Sequence, residues 1–155
     1  METKIMISGA LVLAGFLWSY LFVRQIVFNF SVAYPLIRRM KELQPDLIAP
    51  GSKSYTVISN VICILVGGAI LFAVAYFAPL YISISFAGGA VAAFLFILFR
   101  TKPENKGMMD LFCSAYYRFI PDDELRTIVF NKEYKKVKAR LKNMGITGTF
   151  VPDFK

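Results

Sequence analysis

Residues 57–99, VISNVICILVGGAILFAVAYFAPLYISISFAGGAVAAFLFILF, run for 43 positions without one charged side chain. A transmembrane helix needs about 20 apolar residues, so this stretch is long enough for two spans and too long for one. As a single helix it would measure ~65 Å, about twice a bilayer core. Pro79 divides it into 57–77 and 80–99. Proline lacks the N–H that a first helical turn leaves unpaired anyway, so it suits the start of a second helix. Tyr76 and Tyr81 flank the break, where interfacial aromatics belong. The expectation over 57–99 is a tight transmembrane hairpin.

Gly67-Gly68 precede Pro79 by 11–12 residues, and Gly88-Gly89 follow it by 9–10, so the two pairs are expected to meet at similar depth. Ala69 and Ala73, Gly88 and Ala92, and Gly89 and Ala93 repeat at four-residue spacing. Small residues let helix backbones approach closely, which matters in lipid because no hydrophobic force drives helices together there. Gly67, Gly68, Gly88, Gly89, Ala92 and Ala93 are therefore the expected helix-packing residues. A hinge or a pore constriction is the functional alternative for them.

Upstream, residues 5–23 form another uncharged run of 19 residues, ~28 Å long as a helix. It closes on Trp18, Tyr20 and then Arg24, an aromatic belt followed by a cation that can snorkel. A cleaved signal peptide has a shorter apolar region, more basic residues than Lys4 before it, and a small-residue cleavage site. Phe22-Val23-Arg24-Gln25 offers no such site. The chain thus divides into a first transmembrane helix (1–24), a membrane-hugging cytoplasmic linker with a short amphipathic helix (25–56), the hairpin (57–99) and a basic helical cytoplasmic tail (100–155). The fold class is an all-α membrane protein, three transmembrane helices plus short amphipathic cytoplasmic helices.

Charge sorts with this division. The 155 residues carry eighteen Lys and Arg against ten Asp and Glu, a net of +8. The stretch 24–56 holds +3 and the tail +5, while residues 1–23 and the hairpin tip hold none of the excess. The positive-inside rule then predicts a multi-pass protein of the cell (inner or plasma) membrane, N-terminus outside and C-terminus cytoplasmic.

In the linker, Pro35 is expected to open a short helix that Pro45 closes, with Leu36, Met40, Leu43 and Leu47 on one face. Residues 25–34 are apolar enough to lie at the interface or to extend the first helix. Ser54 or Thr56 is the expected N-cap of the second span. In the tail, Asp110 is expected to cap or begin a helix in which Phe112, Tyr116 and Phe119 recur at i, i+4 and i+7 until Pro121 stops it. Asp122-Asp123-Glu124 fall in the first turn of the next helix, where the macrodipole favours carboxylates. A register break places a new N-cap at Asn131, and the last helix ends at Gly145, a C′ glycine.

That last helix carries Lys132, Lys135, Lys136, Lys138, Arg140 and Lys142, with Glu133 opposing. Two contact surfaces are expected on the tail. Phe112, Tyr116 and Phe119 face a partner, and the six cations face anionic lipid, an acidic cytoplasmic protein or only water. Nucleic acid is not an expected partner, because neither a binding motif nor aromatic interleaving accompanies the charge.

The inventory narrows the chemistry. With no histidine and two cysteines, the Ser-His and Cys-His pairs and the His-containing zinc sites are excluded. No phosphate-binding glycine motif is present. Three adjacent acids on a helix point in different directions, which disfavours a cation site at 122–124. No catalytic, cofactor-binding or metal residue is expected, and the chain is read as a non-enzyme. A membrane enzyme using Asp110 or Asp122 is the weakest reading. Ion pathways are usually marked by ionisable residues within the spans, and these spans have none. The expected function is a non-catalytic anchoring or assembly subunit of a larger membrane complex, its partners the bilayer and other membrane subunits or copies of itself. The alternative is a homo-oligomeric, membrane-permeabilising protein. Three spans, N-out/C-in, with a basic tail is a layout similar to one class of phage holins, without a shared motif.

Overall fold

The computed structural model describes residues 2–154, with side chains from residue 5 onward. The regular structure among these residues is helical, without strands. In chain order the α-helices are α1 (Glu2–Phe28), α2 (Tyr34–Leu43), α3 (Ser52–Phe77), α4 (Leu80–Arg100), α5 (Lys106–Phe119), α6 (Asp123–Phe130) and α7 (Tyr134–Asn143). Three helical stretches, Ile5–Leu43, Ser52–Phe77 and Leu80–Arg100, are long and apolar enough to cross a membrane. The chain divides into two compact units, one of residues 2–26 and 58–99, the other of 27–57 and 100–154.

The first unit consists of most of α1, α3 and α4. Most of its large apolar side chains point outward: Leu13, Leu17, Leu21, Leu65, Phe72, Leu95 and Phe99 are all exposed. Such a surface is costly in water and suited to hydrocarbon. What α4 buries is narrower. Phe86, Gly89, Ala93 and Ile97 recur every three or four residues along one stripe, the periodicity of a single helical face. Only Ala78 and Pro79 separate α3 from α4, and the Ser83 hydroxyl donates to the Val74 carbonyl at 3.0 Å across that junction.

The second unit is built from the linker and the tail together. Phe28, Val32, Leu36, Ile37 and Met40 from the linker share one core with Met108, Leu111, Phe112, Ala115, Tyr116 and Phe119 of α5. Leu125, Val129, Val137, Leu141, Ile146, Phe150 and Phe154 complete it. Backbone and side-chain bonds tie the two segments: Ala49 N–H to the Phe119 carbonyl at 2.8 Å, and Arg39 Nε to the Gly145 carbonyl at 3.1 Å.

Several local expectations change. Pro35 lies in the first turn of α2, which ends before Pro45 as expected, but α2 is not separate, because residues 25–34 extend the first helix into it. Helical structure continues from α1 through a π-helical turn, Asn29–Ala33, into α2, and the Tyr34 N–H bonds to Asn29 O five residues back. A proline ring crowds the carbonyl four residues before it, and the wider π turn placed just upstream relieves that crowding without breaking the helix. Ser54 and Thr56 do not cap the second span, because α3 begins at Ser52 and Thr56 Oγ1 donates back to the Ser52 carbonyl at 2.8 Å. Asp110 lies inside α5, which begins at Lys106. The segment does split at Asn131, but Asn131 ends α6 instead of starting α7; its N–H bonds to Thr127 O. Glu133 precedes α7 without a side-chain cap.

Candidate functional site

In the first unit the close approach is between α1 and α4. A Cβ on Gly89 would collide with the Val12 carbonyl, and one on Gly15 would collide with the Phe86 carbonyl. Ala93 and Ser19, one turn further along their helices, are buried at 0% and 1% exposure. Gly15-xxx-Ser19 and Gly89-xxx-Ala93 are thus two small-residue pairs on facing helices, the arrangement that brings backbones together in lipid. Trp18 and Phe86 flank the crossing with ring centroids 5.8 Å apart, and Phe16 meets Phe96 at 6.2 Å.

The six glycines and alanines singled out from the sequence separate accordingly. Gly89 and Ala93 lie in the crossing with α1. Gly67 faces the Phe22 ring of α1, 3.1 Å from where its Cβ would stand. Gly68 and Gly88 have open space at that position, and Ala92 is exposed. The two glycine pairs therefore do not interlock with each other. Adjacent helical residues point about 100° apart, so one glycine of each pair turns to α1 and the other turns away. The missed residues are Gly15 and Ser19, whose four-residue spacing was the available signal.

In the second unit the aromatic stripe expected to face a partner faces the chain's own linker. Phe112, Tyr116 and Phe119 are 0%, 1% and 2% exposed. Phe112 meets Phe154 edge to face, with ring centroids 6.2 Å apart. Phe119 meets Tyr55 at 6.1 Å. Arg118 lies over the rings of Phe28 and Tyr55, 5.5 and 5.2 Å from their centroids, and its Nη1 donates to the Tyr55 hydroxyl at 3.2 Å. The spacing i, i+4, i+7 correctly marked one face of α5; what covers that face comes from distant parts of the chain, residues 28–40 about 80 positions earlier together with Tyr55 and Phe154.

The three acids of 122–124 have separate tasks. Asp122 is the N-cap of α6, accepting from the Leu125 N–H at 3.1 Å and from the Tyr116 hydroxyl at 3.1 Å. Asp123 pairs with Arg126 at 3.4 Å, and Glu124 with Arg140 at 2.7 Å. Among the described residues no three His, Cys, Asp or Glu side chains cluster as metal ligands do. An open cleft of about 670 Å³ between α6 and α7 is lined by Gln44, Asp123, Glu124, Lys136, Arg140 and Asn143. Its charges are largely paired within the unit.

The six cations of 132–142 also separate. Lys136 pairs with Glu133, Lys138 with Asp153 at 3.3 Å, and Arg140 with Glu124 and with Asp122 at 3.7 Å. Lys132, Lys135 and Lys142 are exposed and make no ion pair among the described residues. Lys132 stands at φ 59, the left-handed C′ position of a Schellman motif in which Lys132 N–H bonds to Val129 O and Glu133 N–H to Ile128 O. Gly145, at φ 68, closes α7 with the same pattern, as its sequence position predicts. Comparison with protein-family models, curated proteins and solved structures finds no match for the chain.

Proposed function

We propose that the chain is a non-catalytic anchoring or assembly subunit of a membrane complex: three spans that hold a folded, basic cytoplasmic unit at the membrane surface. The observation that carries this reading is the shared core of linker and tail. The linker connects the first span to the second, and the tail follows the third, so the chain passes between this unit and the spans at three points, after residues 26, 57 and 99. A unit fastened in this way stays tethered to the spans through three chain connections. The two-residue junction at Ala78-Pro79 and the Ser83–Val74 hydrogen bond support a tight hairpin of α3 and α4. Buried Leu36, Ile37 and Met40 on α2, against exposed Arg38 and Lys41, support a short amphipathic linker helix. Excess positive charge on 24–56 and on the tail supports N-out, C-in in the cell membrane.

Photo-crosslinking from span positions in native membranes tests this function. Repeated capture of one defined membrane subunit is the expected result. A chain that crosslinks to nothing and purifies from mild detergent as a lone monomer overturns it. Orientation is tested by a cysteine replacing Ala78 in a C63A/C113S background, expected to react with an impermeant maleimide from outside.

The outward faces of Gly68 and Gly88 favour a second reading, homo-oligomeric membrane permeabilisation. Small residues open to the bilayer leave room for packing against further copies. Dye leakage from cells on induced expression supports that reading, and its absence removes it.

A further inference from the structure

The corner between α6 and α7 has features that the anchoring role does not use. Lys135 and Lys142 are seven positions apart on the side of α7 opposite buried Val137 and Leu141. Lys132 projects from the corner itself in its left-handed conformation. None of the three has an ion pair among the described residues, although their neighbours Lys136, Lys138 and Arg140 are all paired. Two residues before Lys132, Phe130 is 80% exposed. An aromatic ring in water beside uncompensated lysines, in a unit with twenty buried core residues nearby, is the composition of a membrane-surface contact.

We infer that this corner and the outer face of α7 dock on an anionic lipid surface, the three ammonium groups on headgroup phosphates and carboxylates and Phe130 in the interfacial layer. The inference rests on the proposed membrane anchoring and names what the basic unit touches. Two observations select lipid over an acidic protein. Residues 27–57 and 100–155 carry sixteen basic and nine acidic side chains, a net of +7, complementary to an anionic leaflet. The chain also ties this unit to its spans at three points, so the bilayer is the one partner held permanently at high effective concentration. An acidic peptide would leave Phe130 without a role.

Hydrogen exchange of the α7 amides tests the inference with the full chain in nanodiscs of pure phosphatidylcholine and of phosphatidylcholine with phosphatidylserine. The expected result is stronger protection of 134–143 in the anionic discs, reversed by high salt. Neutralising three lysines at roughly fivefold each weakens docking about a hundredfold, so K132Q/K135Q/K142Q should show the same exchange in both discs. These side chains are exposed and unpaired, so the variant keeps the core. Equal exchange of the wild-type chain in both discs overturns the docking while leaving the anchoring intact, as does lipid-dependent protection that survives in the triple variant. Protection that follows added polyglutamate and not lipid charge assigns the face to an acidic protein and also overturns it. A chain that does not insert into either disc overturns both readings.

Discussion

Tyr116 donates its hydroxyl hydrogen to Asp122 Oδ2 across 3.1 Å, and the other oxygen of that carboxylate accepts the Leu125 N–H that begins α6. One nearly buried carboxylate, its side chain 10% exposed, thus joins the end of α5 to the start of α6. Pro121 forces the chain out of α5 between them, and the bond restores the connection that the break removes.

Tyr116→Phe is expected to lower the stability of the second unit by about 1 kcal/mol at neutral pH. Asp122→Ala, which strips the cap and leaves the Tyr116 hydroxyl without its acceptor, is expected to cost about 2–3 kcal/mol. A double-mutant cycle on thermal unfolding of the full chain in detergent checks whether the two losses couple. The alkaline limb gives a second readout. Burial first, and the Asp122 carboxylate second, raise the Tyr116 phenol far above its ordinary range. Its contribution is present below the unfolded value near 10 and declines as pH rises above it, because the unfolded chain then releases a proton that the folded chain keeps. Tyr116→Phe should flatten this decline. A variant as alkali-sensitive as the wild type above pH 10 (~10 being the unfolded tyrosine value) would refute the assignment.

The α1–α4 crossing gives a contrast between adjacent residues. Gly89→Leu places a side chain against the Val12 carbonyl, whereas Gly88→Leu places it in open space. The first is expected to cost about 3 kcal/mol or more through backbone separation, the second about 0.5 kcal/mol or less. Gly15→Leu should resemble Gly89→Leu. Melting in detergent, followed by circular dichroism, compares the three; equal losses at 88 and 89 would refute the crossing.

The spans were legible in the sequence because each is a contiguous property: length without charge, bounded by proline, aromatics and cations. The crossing was legible only in part. Gly88-Gly89 stands out as a pair, but Gly15-xxx-Ser19 looks like ordinary span composition, and which glycine faces which helix depends on rotation about the axis. The core of the second unit was the least legible. Phe112, Tyr116 and Phe119 announce an apolar face at helical spacing, and the same spacing serves a partner surface or an internal core. Nothing local says that Val32, Leu36 and Met40 return to cover it. The continuous helix through Pro35 was hidden for a related reason, since a π turn has no composition of its own.

The two Schellman turns predict opposite outcomes for complementary substitutions. Lys132 occupies a left-handed position that an L side chain adopts at a cost, so Lys132→Gly is expected to stabilise the second unit by about 0.5–1 kcal/mol. Gly145 already has the favourable residue, and Gly145→Ala is expected to cost about 1 kcal/mol. Thermal melts of both variants check the signs.

Cys113 tests the core from the solvent side. Burial, and secondarily the Asp110 carboxylate, push its thiol up to about 11 from 9.0. Since only the thiolate reacts, alkylation by iodoacetamide at about pH 8 should be roughly a hundredfold slower than for an unperturbed thiol. Phe112→Ala, which empties the centre of the core at an expected cost of about 3–5 kcal/mol, should release most of that protection by opening the linker–tail packing. The experiment uses a Cys63→Ala background and mass-spectrometric readout of residue 113. A wild-type Cys113 that alkylates at the rate of a free thiol would mean that the linker does not cover the tail in solution. Slow alkylation that Phe112→Ala accelerates ties the protection to the same core that buries the aromatic stripe.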